Sequence, residues 1–295
     1  MQIVEFRAEL LPDLTRLVNE QIAAIPPCWT LSETQVALTI AQADSLWGMH
    51  FPEDQDSFAS PTVCVLERRE IVAAAQWLLP TETTNVCSIC WIVARPDNPI
   101  AVRTLLHLIE KQALNNGLGT VGFNRFSFGV GWFGIPTQWT HLISGLRDAG
   151  YQQTETWVLL HGSTDAYVKI PPSPAHDFKK FYWDMDKPAL EWTLTAYEGE
   201  TQVGECQVWG IPDQFEGCDG FEEWATIEWI EVNKSHQKRG LAKRLVAEQM
   251  RFHARRGVKH FIMWTEQNNA ATRALGKALH FELGPELAVL KKSLG

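Results

Sequence analysis

The sequence predicts two tandem α/β domains. Three observations carry this: a length of 295 residues, a proline-rich interruption at 164–188, and the order strand–helix–strand–helix on both sides of it. A chain of this length exceeds the usual extent of one hydrophobic core. In the interruption, TDAYVKIPPSPAHDFKKFYWDMDKP, Pro171, Pro172 and Pro174 stiffen the backbone, and neither a helical nor a strand period survives. The expected domains are therefore 1–163 and 189–295, with 164–188 as linker.

In the C-terminal half, 226–232 reads as a strand, 241–256 as an amphipathic helix, 258–265 as a strand and 270–279 as a second helix. Leu241, Ala242, Leu245, Val246, Met250, Phe252 and Ala254 form one broad apolar stripe. Gly257 stands where a left-handed helix cap belongs, after Arg255 and Arg256, which suit a helix C-terminus. The N-terminal half repeats the order: strand 88–94, helix 102–116 with Leu105, Leu106, Ile109 and Leu114 inward, strand 120–126, helix 140–149. Gly117 and Gly150 are its caps. Earlier still, Leu14, Leu17 and Val18 share one helical stripe ahead of a turn at Pro26–Trp29. The matched order argues for duplication.

Composition narrows the classes of function. Hydrophobic residues at 45% and charged residues at 21% give the balance of a soluble globular protein. No apolar run reaches the length of a membrane span, and MQIVEFRAELLPDL lacks the basic start and apolar core of a signal peptide. A cytoplasmic protein is expected. The net charge of -9 argues against nucleic acid as a partner. Cys87 and Cys90 form a lone CxxC inside a β-branched, aromatic run, with neither a helix N-terminus nor a second ligand pair, and read as core thiols. The thirteen tryptophans suit a core or the walls of a cleft, and the core reading is the simpler one.

The most informative segment is ATIEWIEVNKSHQKRGLAKRLVAEQM. A strand ends at Val232, a short polar loop follows, and Gly240 opens a helix whose first turn is 241–243. Gly240 lets the backbone approach a ligand, and Ala242 keeps the turn narrow. First-turn amides have no partner within a helix, so an anion satisfies them and the helix dipole favours it. Lys238, Arg239, Lys243 and Arg244 add cationic charge at the same point.

The run Gln237-Lys238-Arg239-Gly240-Leu241-Ala242 resembles the [RQ]-x-x-G-x-[GA] pyrophosphate loop of the GNAT acyltransferase superfamily, and WIEV resembles its fourth strand. The run NNAATRALGKALHF resembles its closing helix, with Asn268 or Asn269 at the start and a good N-cap on local grounds as well. The likeness spans roughly residues 190–290, with three pieces in order. It implies two tandem domains, each a mixed, mostly antiparallel sheet flanked by helices. It implies acetyl-CoA or another acyl-CoA as co-substrate, no metal, and a small-molecule or peptide amine as acceptor. The fourth strand of the family splays from the fifth, so Ile230, Glu231 and Val232 should run beside the pantetheine arm, with Ile230 and Val232 bonding it and an amide near Val232 holding the thioester oxygen. Gln237 to Lys243 should cradle the pyrophosphate.

Two places depart from the family. The tyrosine often used to protonate the departing thiolate is Gly276 here, and no tyrosine lies C-terminal of Tyr197. The usual Gly-Phe ending is His280-Phe281. A primary amine titrating near 10.4 needs a base to take its proton at neutral pH. By strict strand alternation Glu228 shares a face with Thr226, Ile230 and Val232, while Glu231 faces the other way. Glu228 is the candidate base, and a solvated strand carboxylate is the equal alternative. His236 reads as a surface residue beside the loop, and Glu222 and Glu223 as a charged loop or part of an acceptor cleft.

The N-terminal half reads as a degenerate copy. Gly117, Gly119 and Gly122 spell GxGxxG, but after a helix and before a strand, the reverse of a dinucleotide loop. Its counterpart of the phosphate loop, ARPDNPIAVR, holds Pro96 and Pro99, which lack N–H groups, and Asp97, which repels phosphate. FGVGWFGIP at 128–136 reads as an apolar loop that packs between domains, or as a wall of the acceptor site. The tandem arrangement is similar to that of mycothiol-synthase-like acyltransferases, a likeness of architecture only. Two functions follow: direct N-acyl transfer in a ternary complex, or non-catalytic acyl-CoA binding.

Overall fold

A computed structural model describes residues 1–25, 29–41, 58–80, 85–124, 126, 128, 133–164, 181–186, 191–210 and 220–295. In chain order the elements begin β1 (Gln2–Glu5), α1 (Leu11–Ile22), α2 (Glu33–Ala41), β2 (Phe58–Ala59), β3 (Thr62–Glu67), β4 (Glu70–Pro80) and β5 (Val86–Ala94). Then come α3 (Pro99–Asn115), β6 (Thr120–Phe123), β7 (Ile135–Pro136), α4 (Thr140–Asp148) and β8 (Gln152–Ser163). The rest are β9 (Phe181–Asp186), β10 (Glu191–Glu198), β11 (Thr201–Gly210), β12 (Trp224–Val232), α5 (Leu241–Ala254), β13 (His260–Glu266), α6 (Ala270–Ala278) and β14 (Glu282–Ser293). Among the described residues no helix is long and apolar enough to cross a membrane.

The elements form two compact units, Met1–Trp157 with Pro285–Gly295, and Val158–Gly284. These bounds differ from those read along the chain. Residues Leu290 to Ser293 of β14 pair antiparallel with Phe123 to Thr120 of β6, so the last segment joins the first unit through its hydrogen bonds. Composition follows chain order, whereas strand membership follows pairing. Most of the expected linker, including all of its prolines, and 129–132 of the 128–136 loop lie outside the described residues.

The first unit has strand order β1-β3-β4-β5-β6-β14. The pairs are antiparallel except β5 with β6. Leu14, Leu17 and Val18 of α1 and Leu105, Leu106 and Ile109 of α3 are buried, as their stripes predict, while Leu114 is exposed. Asn98 caps α3 by accepting from the Ala101 amide, and Pro99 stands at its first position. The three GxGxxG glycines follow α3 and lead into β6, so their order is that of a helix cap and a strand. Cys87 and Cys90 are buried thiols that form no disulfide with one another, and burial pushes the Cys87 thiol up to about 12.

The second unit continues β8 and has the order β8-β13-β12-β11-β10-β9, in which β12 and β13 run parallel and β9 to β12 antiparallel. Leu241, Leu245, Val246 and Met250 of α5 sink into one core with Leu194, Val203, Cys206, Val208, Ala225 and Ile227. Each leucine, valine, isoleucine or methionine among them contributes about 1.5–3 kcal/mol when fully buried.

One irregularity recurs in both units. In the second, Val208 faces Ile227 but Gln207 faces Trp229, so Glu228 is an extra residue in β12. In the first, Trp77 faces Ile89 but Gln76 faces Trp91, so Cys90 is the extra residue in β5. Each bulge falls two residues after parallel pairing ends, at Thr226 with Ile262 and at Ser88 with Gly122. A shared irregularity at a matched place supports duplication more strongly than element order does.

Two predictions follow from the second unit's packing. A Cβ on Gly162 would lie 2.7–2.9 Å from the Phe281 ring. Gly162→Val is expected to cost about 1–3 kcal/mol in denaturant unfolding, with Phe281→Leu recovering part of it. His161 and His260 stand 3.2 Å apart, nitrogen to nitrogen, and both stack with Trp224. His161 is held below its ordinary pKa, first by burial and then by His260, against a smaller opposite pull from Glu282. A histidine depressed in the folded state takes up its proton more readily when unfolded. Its contribution is therefore complete above about pH 6.5 and is lost as the pH falls through the lower folded value. The urea midpoint should fall between about pH 7 and 5, and His161→Gln should flatten that fall.

Candidate functional site

The bulge at Glu228 decides which way the end of β12 faces. Before it, Ala225 and Ile227 enter the core under α5; after it, Ile230 and Val232 pack against that same core. The strict alternation that grouped Glu228 and Thr226 with Ile230 and Val232 is therefore broken, because one residue is absorbed between Ile227 and Trp229. Glu231 does face away, exposed together with Trp229. Glu228 is half-buried at the bulge.

The backbone follows the same logic. The Asn233 amide donates to Val203 O at 3.0 Å, so that pair lies at a hydrogen-bonded position of the antiparallel β11–β12 ladder. Hydrogen-bonded and non-bonded positions alternate. Val232, opposite Gly204, and Ile230, opposite Cys206, therefore turn their N–H and C=O groups away from β11, toward the β13 side. Parallel pairing with β13 runs only from Trp224–His260 to Thr226–Ile262, whereas β12 continues to Val232. The strands part, so β13 does not pair with the polar edge of Ile230 and Val232. Glu231 turns its carbonyl to β11, since a Cβ on Gly204 would sit 2.9 Å from it.

Beyond β12 the chain makes a 3-10 turn at Lys234–His236 and enters α5 through two left-handed residues, Lys238 at φ 59 and Gly240 at φ 84. The left-handed region is natural for glycine and strained for lysine, and strain of this kind gathers at functional sites. Gly240 has no side chain to cap α5, and the first bond back to it comes from the Arg244 amide. Among the described residues nothing accepts from the amides of Leu241, Ala242 and Lys243. They carry the positive end of the helix dipole, about half an elementary charge.

These features meet in one cavity of about 410 Å³, within the usual span for small-molecule sites, about 300–1,000 Å³. Ile230, Val232, Gln237, Lys238, Gly240, Leu241, Ala242 and Lys243 all line it. His236 lines it too, with Nε2 2.9 Å from Glu198 Oε2 and Nδ1 2.9 Å from Ser235 Oγ. Gln237 donates through Nε2 to Val232 O at 3.0 Å, which ties the loop to the strand edge. The far wall is Ala271, Thr272 and Leu275, the inward stripe of α6. Asn269 sets that wall by accepting from the Thr272 amide at 3.1 Å. These wall residues escaped the sequence reading, although their spacing along a helix capped at Asn269 carried the signal.

Other candidates stand elsewhere. Glu228, Glu231, Arg239, Asn268 and Asn269 do not line the cavity. Arg244 is paired with Glu248 at 2.6 Å, so its charge is largely answered within α5. Glu223 pairs with Lys259, and Glu222 accepts from the Gly220 amide, both ahead of β12. Gly276 backs onto the core: a Cβ there would lie 3.2 Å from Leu160 Cδ1 and 3.6 Å from Phe281 Cβ.

The model of the acetyltransferase (GNAT) family matches residues 157–281. This segment holds the bulged strand, the loop, α5 and α6. Residues 157–281 are a GNAT-family domain. A comparison with curated proteins by sequence finds no match. Among solved structures, a tandem GNAT protein from the clavulanic acid biosynthesis pathway, solved without acetyl-CoA, is 13% identical with a TM-score of 0.70, covering 100% of this chain and 98% of that one. A GCN5-related N-acetyltransferase from Sphaerobacter thermophilus is 14% identical at 0.65, covering 99% and 95%. A GNAT-family acetyltransferase from Colwellia psychrerythraea is 13% identical at 0.53, covering 99% and 100%. At such identities the likeness is one of fold, and the fold of the chain is the tandem GNAT form. GNAT domains in general serve acyl-CoA-dependent N-acyl transfer.

The cap at Asn269 yields a direct test. Asn269→Ala should cost about 0.5–2 kcal/mol in unfolding. It should also speed amide exchange at Thr272, because that amide loses its acceptor.

Proposed function

We propose that the protein moves an acyl group, in the first instance acetyl, from CoA to a primary amine by direct transfer within a ternary complex. The observation that carries this reading is the juxtaposition of the open amides at Leu241–Lys243 with the backbone edge of Ile230 and Val232, which β13 leaves unpaired, in one cavity. An acyl-CoA offers a diphosphate for the first and a run of amide groups for the second. Lys238 and Lys243 add cationic charge beside the diphosphate.

In this arrangement the loop and α5 hold the cofactor portion of the substrate, which brings the thioester to a fixed place and removes much of the entropic cost of meeting the amine. An amide of the Ile230–Val232 edge donates to the thioester oxygen as it gains charge. The amine nitrogen bonds to the acyl carbon, the carbon–sulfur bond breaks, and CoA leaves as thiolate. A thiol of pKa about 8.5 can depart without an acid when water is at hand, which suits the glycine at 276. Glu228 takes the amine proton directly or through one water. The small-molecule or peptide acceptor approaches from the cleft beyond the thioester, and the reaction belongs to the cytoplasm.

A second reading has one observation in its favour. Gly276 fills the place of the family's usual tyrosine and is packed against Leu160, so no hydroxyl acid stands there. On this reading the domain binds acyl-CoA without turning it over. Free-thiol release from acetyl-CoA with a panel of small amines and short peptides separates the two. The enzyme reading expects amine-dependent release, with Glu228→Gln lowering kcat by about a hundredfold or more while CoA affinity holds. Tight CoA binding with no amine raising release above hydrolysis establishes the second reading. Gly240→Glu, which places a carboxylate in the cradle, should weaken CoA by at least about a hundredfold in calorimetry; unchanged affinity would sink both.

A further inference from the structure

The first unit rebuilds the cleft of the second, and we infer that its own chain fills it: the side-chain amide of Gln21 takes the place of a pantetheine amide against β5, so the first unit binds no acyl-CoA. This rests on the reading that the cleft beside β12 receives pantetheine. It implies one CoA for each chain of two GNAT-like units.

The correspondence is one of backbone geometry. In the first unit the Arg95 amide donates to Val72 O at 2.9 Å, as Asn233 does to Val203 O in the second. By the same alternation Ala94, opposite Ala73, and Ile92, opposite Ala75, turn their polar groups away from β4. They are the counterparts of Val232 and Ile230, and β5 has likewise parted from β6 by then. In the second unit the Gln237 side chain donates to the Val232 carbonyl.

In the first unit the matching edge is answered from within. Gln21, at the end of α1 and buried, accepts from the Ala94 amide through Oε1 at 2.9 Å and donates through Nε2 to Ile92 O at 3.3 Å. One primary amide thus makes the two-point contact that an amide of the pantetheine arm would make. The Ala94 carbonyl is met by His141 Nε2 of α4 at 3.0 Å. Burial holds His141 below its ordinary pKa, so the ring is neutral and donates from Nε2. Trp139 locks the plug by donating through Nε1 to the backbone carbonyl of Gln21 at 3.1 Å.

The phosphate end is closed as well. Pro99 has no N–H, and the Ala101 amide is given to Asn98 Oδ1 at 3.3 Å. Asn98 Nδ2 in turn bonds Glu67 Oε2 at 2.9 Å, which holds a carboxylate where a diphosphate would come. The Ala94 N–H and C=O, the Ile92 C=O and the Ala101 amide, counterparts of groups that face the cavity in the second unit, thus each have a partner in the first.

The test is the binding stoichiometry of CoA itself, by calorimetry on the full chain and on Gly240→Glu. One equivalent for the natural chain and none for the variant is expected. Two equivalents, or one that survives Gly240→Glu, would overturn the inference. No binding to either protein would overturn the reading of the α5 site and leave the closure of the first unit standing. Amide exchange tests the plug without relying on CoA. In Gln21→Met the Ala94 amide should exchange at least about tenfold faster while Val93, bonded to β4, is unchanged. Equal rates at Ala94 in both proteins would show that Gln21 does not hold that edge. Should Gln21→Met fail to fold, the stoichiometry of the natural chain still decides.

Discussion

A strand that leaves its neighbour must find other partners for the polar backbone along the edge it exposes. An N–H or C=O buried without one costs about as much as a lost hydrogen bond, about 1–3 kcal/mol. Both units of this protein contain such a strand. β12 parts from β13 after Thr226, and β5 parts from β6 after Ser88. The bulge at Glu228 then sets the phase, so that Ile230 and Val232 pack against the core, and β5 carries a matching bulge at Cys90. The two units answer the exposed edge differently. In the first, Gln21 and His141 meet it from within, while in the second Gln237 meets the Val232 carbonyl and the edge faces a cavity lined by the α5 loop.

Charge reinforces the contrast. The chain carries a net charge of -9, yet Lys238 and Lys243 stand at the start of α5 with no carboxylate among the cavity's lining residues. Arg244, one turn on, is answered by Glu248 and contributes little beyond its packing. At the start of α3 the balance is reversed, because Glu67 lies beside the capping Asn98 and proline removes a donor. Local arrangement over a few ångströms outweighs total charge, since solvent and salt screen more distant groups within about 8–10 Å. The acidic composition is therefore compatible with an anion-binding cradle.

The loop ending at Gly240, α5 and the cap at Asn269 were legible because they are local. Gly240, the apolar stripe from Leu241 to Met250 and the asparagine ahead of α6 each act through neighbours a few residues away. The duplication was legible for the same reason, as a repeated order of periods. The facing of Glu228 was not. Strict alternation predicts its face only in a regular strand, and the extra residue appears in the pairing of β12 with β11 rather than in the composition of β12. Glu231 shows the same limit. It sits in the motif, yet its carbonyl points to β11 and its side chain to solvent.

Sequence alone thus determined where α5 and α6 start, that the unit is duplicated, and that amides and cations gather at Gly240, since each depends on short-range propensity and chemistry. Tertiary structure decided the rest. It placed Ala271, Thr272 and Leu275 across from the loop, assigned β14 to the first unit, and brought Gln21 to Ile92 and Ala94, 71 and 73 residues away. Contacts over such separations arise from packing and hydrogen-bond closure in three dimensions. No local pattern along the chain encodes them.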